Sequence, residues 1–256
     1  MSRVIAVANQ KGGVGKTTTV INLGAALAEK GLRVILIDVD PQAALTASSG
    51  LDPYKIKNTT YDLLMGRGPS LPELLRPIGE DLWLAPASVD LSAADYAMSR
   101  QSNRTHRLRK AVQIGAEAVD FILIDTPPNL GLLTVNGLVA ANEVLIPVEC
   151  HYLAMRGVRS LLETVWLIHD KLQPELRVLG LLATLYQPES LHCQQVVREL
   201  RAVFKKRVFR TVIGLDEAAA VAPAARESVL TFQSESPVAA AYRKLAAEIM
   251  HTKPQS

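Results

Sequence analysis

The chain is poor in several kinds of residue, and each shortage removes a class of explanation. It has two cysteines, Cys150 and Cys193, too few for a disulfide scaffold and without metal-ligand spacing, so they read as packing residues in a reducing compartment. Five histidines, His106, His151, His169, His192 and His251, are likewise scattered without ligand spacing. Aromatics make up only 5%, but hydrophobic residues reach 48%, enough aliphatic side chain for one continuous core. No apolar run approaches the roughly 18 to 20 residues of a membrane span, and Met1 to Ala8 is too short for a signal peptide. These shortages predict a single soluble, cytoplasmic domain over residues 1–256. With 28 basic and 25 acidic residues the net charge is +3, which permits a polyanionic partner without requiring one.

What the chain does contain is an alternation. Short apolar runs, Val4 to Ala8, Val34 to Ile37, Leu82 to Ala85, Phe121 to Ile124, Val144 to Val148 and Val178 to Leu185, read as buried parallel strands. Between them Thr17 to Lys30, Ala154 to Leu172 and Gln194 to Phe204 carry helical apolar spacing, the first stopping before Gly31. The expected fold class is α/β, a doubly wound, mostly parallel sheet with helices on both faces and ligands beyond the carboxyl ends of the strands. Ser48 to Pro77, rich in Gly, Pro and polar residues, is expected to be a long surface excursion, and Thr252 to Ser256 to fray. The last helix, Pro237 to Met250, aligns Val238, Ala241, Tyr242, Leu245 and Ile249. That small, alanine-rich stripe predicts packing on the core, since membrane-surface helices favour bulky apolar residues and several lysines.

The stretch ANQKGGVGKTTT sits between the first strand and the first helix, where backbone N–H groups can wrap phosphates. Gly12, Gly13, Val14 and Gly15 form the loop, Lys16 is expected at the β- and γ-phosphates, Thr17 on Mg²⁺ and Thr18 at the inner phosphate. Gln10 stands where the strict phosphate-loop pattern has its first glycine. Three carboxylates end hydrophobic strands near this loop: Asp38 and Asp40 in LIDVDPQ and Asp125 in ILIDTPP. A magnesium nucleotide needs carboxylates for the ion's water shell and one to orient the attacking water. Asp40 is assigned to the water, Asp125 to the magnesium side and Asp38 to support of the magnesium shell.

Together KGGVGKTT, DVDPQ and IDTPP resemble the deviant Walker-A ATPases, a branch of the P-loop NTPases, and within them the ParA/Soj partition family. The resemblance runs from Ser2 to about Met250 and is most specific in the first 150 residues. It implies Mg²⁺-dependent ATP hydrolysis and a role for the second lysine, Lys11, which would reach into the nucleotide of a facing subunit. Two cations five residues apart are tolerable when a triphosphate lies between them and a partner chain supplies one. The family pattern implies an ATP-dependent homodimer that binds DNA without sequence preference, and hence nucleoid association. It also implies a ParB-like or cargo-adaptor protein that stimulates hydrolysis. Regulation through an N-terminal operator-binding domain is not expected, because the chain as given starts just before its first strand.

The C-terminal half departs from that pattern. Gln187-Pro188-Glu189 lacks an arginine that the family carries there, and Gly214-Leu215-Asp216-Glu217 stands in place of I-P-R. DNA contacts are instead assigned to Lys205, Lys206, Arg207 and Arg210, joined by Arg198, Arg201 and Arg226, with a second basic run at Arg104, Arg107, Arg109 and Lys110. The alternatives are an ATPase of the same type that positions a protein cargo, and a membrane-associated MinD-like ATPase. A nitrogenase-reductase-like protein is excluded, because neither cysteine falls at that family's cluster positions.

Overall fold

The computed structural model describes residues 2–151 and 154–252. Eight strands, β1 (Arg3–Val7), β2 (Val34–Asp38), β3 (Arg76–Gly79), β4 (Leu82–Ala85), β5 (Phe121–Asp125), β6 (Glu143–Glu149), β7 (Arg177–Tyr186) and β8 (Val208–Gly214), form one sheet in the order β3-β4-β2-β5-β1-β6-β7-β8. Every neighbouring pair is parallel except β3 with β4.

The crossovers are helical: α1 (Lys16–Ala28), α2 (Ala44–Ser48), α3 (Thr60–Met65), α4 (Leu71–Leu74), α5 (Ala94–Ser99) and α6 (Arg107–Gly115) in the first half. The second half adds α7 (Leu132–Ala140), α8 (Ala154–Lys171), α9 (Leu191–Phe204), α10 (Glu217–Ala225), α11 (Val229–Phe232) and α12 (Pro237–His251).

Successive side chains of a strand face opposite sides of the sheet, and both sides here are covered. Ile35, Ile37, Ile122 and Ile124 join the core under α7 and α8, while Leu36 and Leu123 join a second core beneath α1 and α12. The apolar face of α12, with Val238, Tyr242, Leu245 and Ile249, is consumed in that second core, as its sequence predicts. Among the described residues no helix is long and apolar enough to cross a membrane.

Two expectations change. The Ser48–Pro77 stretch is not an open excursion: it contains α3, α4 and the start of β3, and buries Leu64, Leu71 and Leu74 completely. Its helices are short but well started, by capping boxes that pair Thr59 with Asp62 and Ser70 with Glu73. The first crossover helix stops at Ala28, two residues before the expected end, and Gly31 then takes a left-handed φ of 73°. The edge strand β8 lies beyond the last of the apolar runs that the sequence marks as strands. Its exposed N–H groups are blunted by the Glu248 carboxylate of α12, which accepts from Arg210 N and Thr211 N at 2.8 and 3.1 Å. Of the tail expected to fray, residues 253–256 lie outside the described residues.

Candidate nucleotide site

The sheet order dictates where the chemistry gathers. β2, β5 and β1 are neighbours, and one register row aligns Asp38 with Asp125 and Asp125 with Val7, the last residue before the phosphate loop. Both aspartates and the loop therefore meet at one edge, as the strand-end reading expects.

The loop is built by backbone conformation and buttressed by two buried side chains. Gly13 and Gly15 adopt φ of 75° and 82°, which L side chains rarely adopt, and Gly15 delivers the chain into α1 at Lys16. Asn9 accepts from Lys11 N at 3.0 Å and donates to Pro147 O at 2.6 Å, tying the loop's start to β6. Thr184 of β7 donates to Val14 O at 2.9 Å and holds the apex. Sequence reasoning missed both; the signal for Asn9 was a polar residue directly after an apolar strand, but Thr184 lies 170 positions from its partner.

The two lysines are placed in opposite ways. Lys16 is only 7% exposed, with Nζ 3.3 Å from Lys11 O. Its burial lowers its pKa, against which Asp125 and Asp40 hold the ammonium charged. The Lys11 side chain is 51% exposed and pairs with Glu149 at the end of β6. A cavity of about 400 Å³ opens over the loop, lined by Gly12, Gly13, Lys16, Thr17, Thr18 and Asp40 on one side and by Leu215, Asp216 and Ala219 on the other. Lys11 stands outside that lining.

The three aspartates differ. Asp38 is fully buried and its carboxylate is occupied: Oδ1 accepts from Asp40 N at 3.1 Å, and Oδ2 from Thr46 N and Thr46 Oγ1 at 2.9 and 2.7 Å. It shapes the turn that carries Asp40. Asp40 accepts from Gln42 N at 2.9 Å through Oδ1 and lines the cavity. Asp125 accepts from the Thr17 hydroxyl at 2.7 Å through Oδ2, while its Oδ1 is buried without a hydrogen-bond partner. An orphaned carboxylate oxygen beside a threonine hydroxyl suits a hard divalent cation, so the donor set fits magnesium.

Burial is the main cause of raised pKa values at Asp38, pushed to about 6, and at Asp125, where the charge of Asp38 adds to it. The folded chain thus holds protons that the unfolded chain would release: the stability from both groups is full below about pH 4, and it is lost as pH rises through about 6 for Asp38 and, for Asp125, as pH rises through its raised folded-state value. In the absence of nucleotide, Asp125→Asn should therefore melt a few degrees above the wild type at about pH 7.5, with the gap closing towards about pH 4.5. Scanning calorimetry checks this, and a gap that ignores pH would contradict it.

The remaining candidates fall elsewhere. Lys205, Lys206, Arg207 and Arg210 are exposed around the start of β8, at the end of the sheet opposite the loop, and Arg201 donates to Arg210 O at 3.1 Å. Arg226 is not with them; it lines a cavity against residues 47–54. In the other basic run, Arg104 donates to Ser99 O and Arg107 to Ser102 O, local ties that organise the loop before α6. Asp216, in the stretch that departs from the family pattern, caps α10 by accepting from Ala218 N at 2.8 Å.

The chain is similar to known proteins along nearly its whole length. A family model described as an AAA domain matches residues 2–178. The chromosome partitioning protein ParA of Myxococcus xanthus is 39% identical over 251 residues, 98% of this chain and 88% of that protein. The sporulation initiation inhibitor protein Soj of Bacillus subtilis is 36% identical over 249 residues, 97% of this chain and 98% of its own length. Among solved structures, a Mycobacterium smegmatis protein described as cobyrinic acid a,c-diamide synthase, with a bound ATP analogue and magnesium, superposes with a TM-score of 0.86. It is 36% identical, and the match covers 98% of this chain and 95% of that one. With a glycine loop whose inner lysine is buried among strand-end aspartates, and with such relatives along nearly its whole length, the chain belongs to the ParA/Soj family of deviant Walker-A ATPases.

Proposed function

We propose that the chain is an ATP-fuelled dimerisation switch that partitions DNA: the ATP-bound pair holds DNA without sequence preference, and hydrolysis loosens the pair and releases it. The observation that carries this reading is the placement of the two lysines. Lys16 already supplies a cation inside the cavity, whereas Lys11 is exposed, outside it and engaged only in a partly exposed ion pair with Glu149, which it can exchange for a triphosphate held by a second chain.

In this reading the backbone from Gly12 to Thr18 wraps the phosphates of ATP, Lys16 sits at their outer end, and Thr17 with Asp125 holds Mg²⁺. The bound ion supplies charge neutralisation across the phosphate oxygens. Asp40 orients the attacking water, and Asp38 keeps Asp40 in place through the turn. The exposed cations at Lys205, Lys206, Arg207 and Arg210 meet DNA phosphates, so affinity falls steeply with salt. A ParB-like or cargo-adaptor protein acts on the pair to speed hydrolysis, and the chain works in the cytoplasm on the nucleoid.

The deciding experiment measures mass by sedimentation, and DNA retention at two salt concentrations, with ATP, ADP and no nucleotide. One mass under all three conditions would end the dimerisation reading. Retention that ignores nucleotide or salt would end the DNA reading.

Gly12 gives a sharper test. A side chain at this position meets no atom of the same chain within 4 Å, and Gly12 does not need a positive φ. Gly12→Val should therefore fold and bind ATP to within about threefold of the wild type. It should nevertheless stay single, because its branched side chain points at the facing copy. An ATP-dependent pair formed by this variant would refute the assignment.

A further inference from the structure

Trp166, on the outer face of α8, is 46% exposed, and the Arg207 guanidinium lies 5.6 Å from its ring centroid. The two residues line a cavity of about 180 Å³ with His169, Leu176, Arg177 and the flanking valines Val165 and Val178. Among the described residues neither Arg177 nor Arg207 forms an ion pair. His169 uses Nδ1 on Leu176 O at 3.0 Å, which leaves Nε2 as its remaining polar atom. The cavity adjoins the basic groove lined by Arg201, Lys205, Lys206 and Arg210, because Arg207 follows Lys206 directly.

We propose that the Trp166–Arg207 stack, with Arg177 beside it, is a preformed clasp for a backbone phosphate of duplex DNA, and that Trp166 is the positioning residue of that clasp. The proposal rests on the DNA-binding reading above and assigns it a contact point. A free arginine loses its rotamer freedom when it meets a phosphate. One stacked on an indole has surrendered much of that freedom already and keeps the edge of its fork open for bidentate contact. Lysine cannot substitute, since it offers a point charge without the planar fork. An indole carries no charge, so its contribution acts entirely through Arg207.

This division of labour gives the test a distinctive form. Binding of a fluorescent duplex of about 60 base pairs to the full chain is followed by anisotropy in the presence of a non-hydrolysable ATP analogue, across a salt series. Arg207→Ala should weaken binding about tenfold and lower the salt slope by about one. Trp166→Ala should weaken it about fivefold with the slope unchanged, because every cation is still present. Combining the two should cost no more than Arg207→Ala alone, and Trp166→Phe should restore most of the loss.

Basal ATP hydrolysis and the circular dichroism spectrum should match the wild type in Trp166→Ala and Trp166→Phe, since this side chain lies at the opposite end of the sheet from the loop. If Trp166→Ala binds like the wild type, or if the two single losses add, the clasp is wrong while the DNA reading stands. If the wild type itself fails to bind duplex under any nucleotide condition, both fall.

Discussion

Lys11→Ala is expected to lower ATP turnover by about 10³-fold and to leave the chain single in the presence of ATP, while the affinity of one chain for ATP changes by less than about threefold. The size follows from what a cation supplied by a second molecule does when charge builds on a phosphoryl group in a site closed to water. The small effect on binding follows from geometry: Lys11 is half exposed, turned towards Glu149 and outside the cavity, so one chain can cradle the nucleotide without it. Lys16→Ala should behave oppositely and lose binding itself, because its buried ammonium sits among Asp40, Asp125 and the loop. Phosphate release, sedimentation and a nucleotide titration separate the two variants. Turnover of Lys11→Ala within about tenfold of the wild type would show that the lysine acts on nothing beyond its own chain.

The second large effect is at Asp40. Asp40→Ala should reduce turnover by about 10² to 10⁴-fold, the usual range for removing a group that handles the attacking water, and should leave the ATP-bound pair and its DNA complex long-lived. The local hydrogen bonding makes this variant selective. Asp40 gives the fold one bond, from Gln42 N, whereas Asp38 accepts three and is sealed from solvent. Loss of Asp38 would release Thr46 and the whole turn, so it should impair binding and turnover together. Rapid hydrolysis by Asp40→Ala in a phosphate-release assay would move the water-orienting role to another residue.

Much of this was readable before the structure, for identifiable physical reasons. Strands buried on both faces must be nearly continuous runs of aliphatic residues, so β2, β5 and β6 announce themselves, and a charged residue ending such a run belongs at a rim. The glycines of the loop are legible because positive φ at Gly13 and Gly15 leaves little choice of residue. What was hidden depends on long-range contact. Thr184 looks like any strand threonine until β7 lies beside the loop, and nothing local reports that the three carboxylates differ in what their oxygens touch. Conversely, the 48–77 stretch looked loose because glycine and proline at its joints outweighed two capping patterns, Ser70 to Glu73 and Thr59 to Asp62, that mark helix starts.

β7 links the two ends of the molecule. It begins at Arg177, in the wall of the tryptophan cavity, and its Thr184 grips the Val14 carbonyl at the apex of the phosphate loop. At about 3.3 Å per residue these points stand roughly 23 Å apart along a single rod, clamped on both sides by β6 and β8. A strand paired on both sides holds its register, so the spacing between the loop apex and the wall of the tryptophan cavity is built into one element of the sheet.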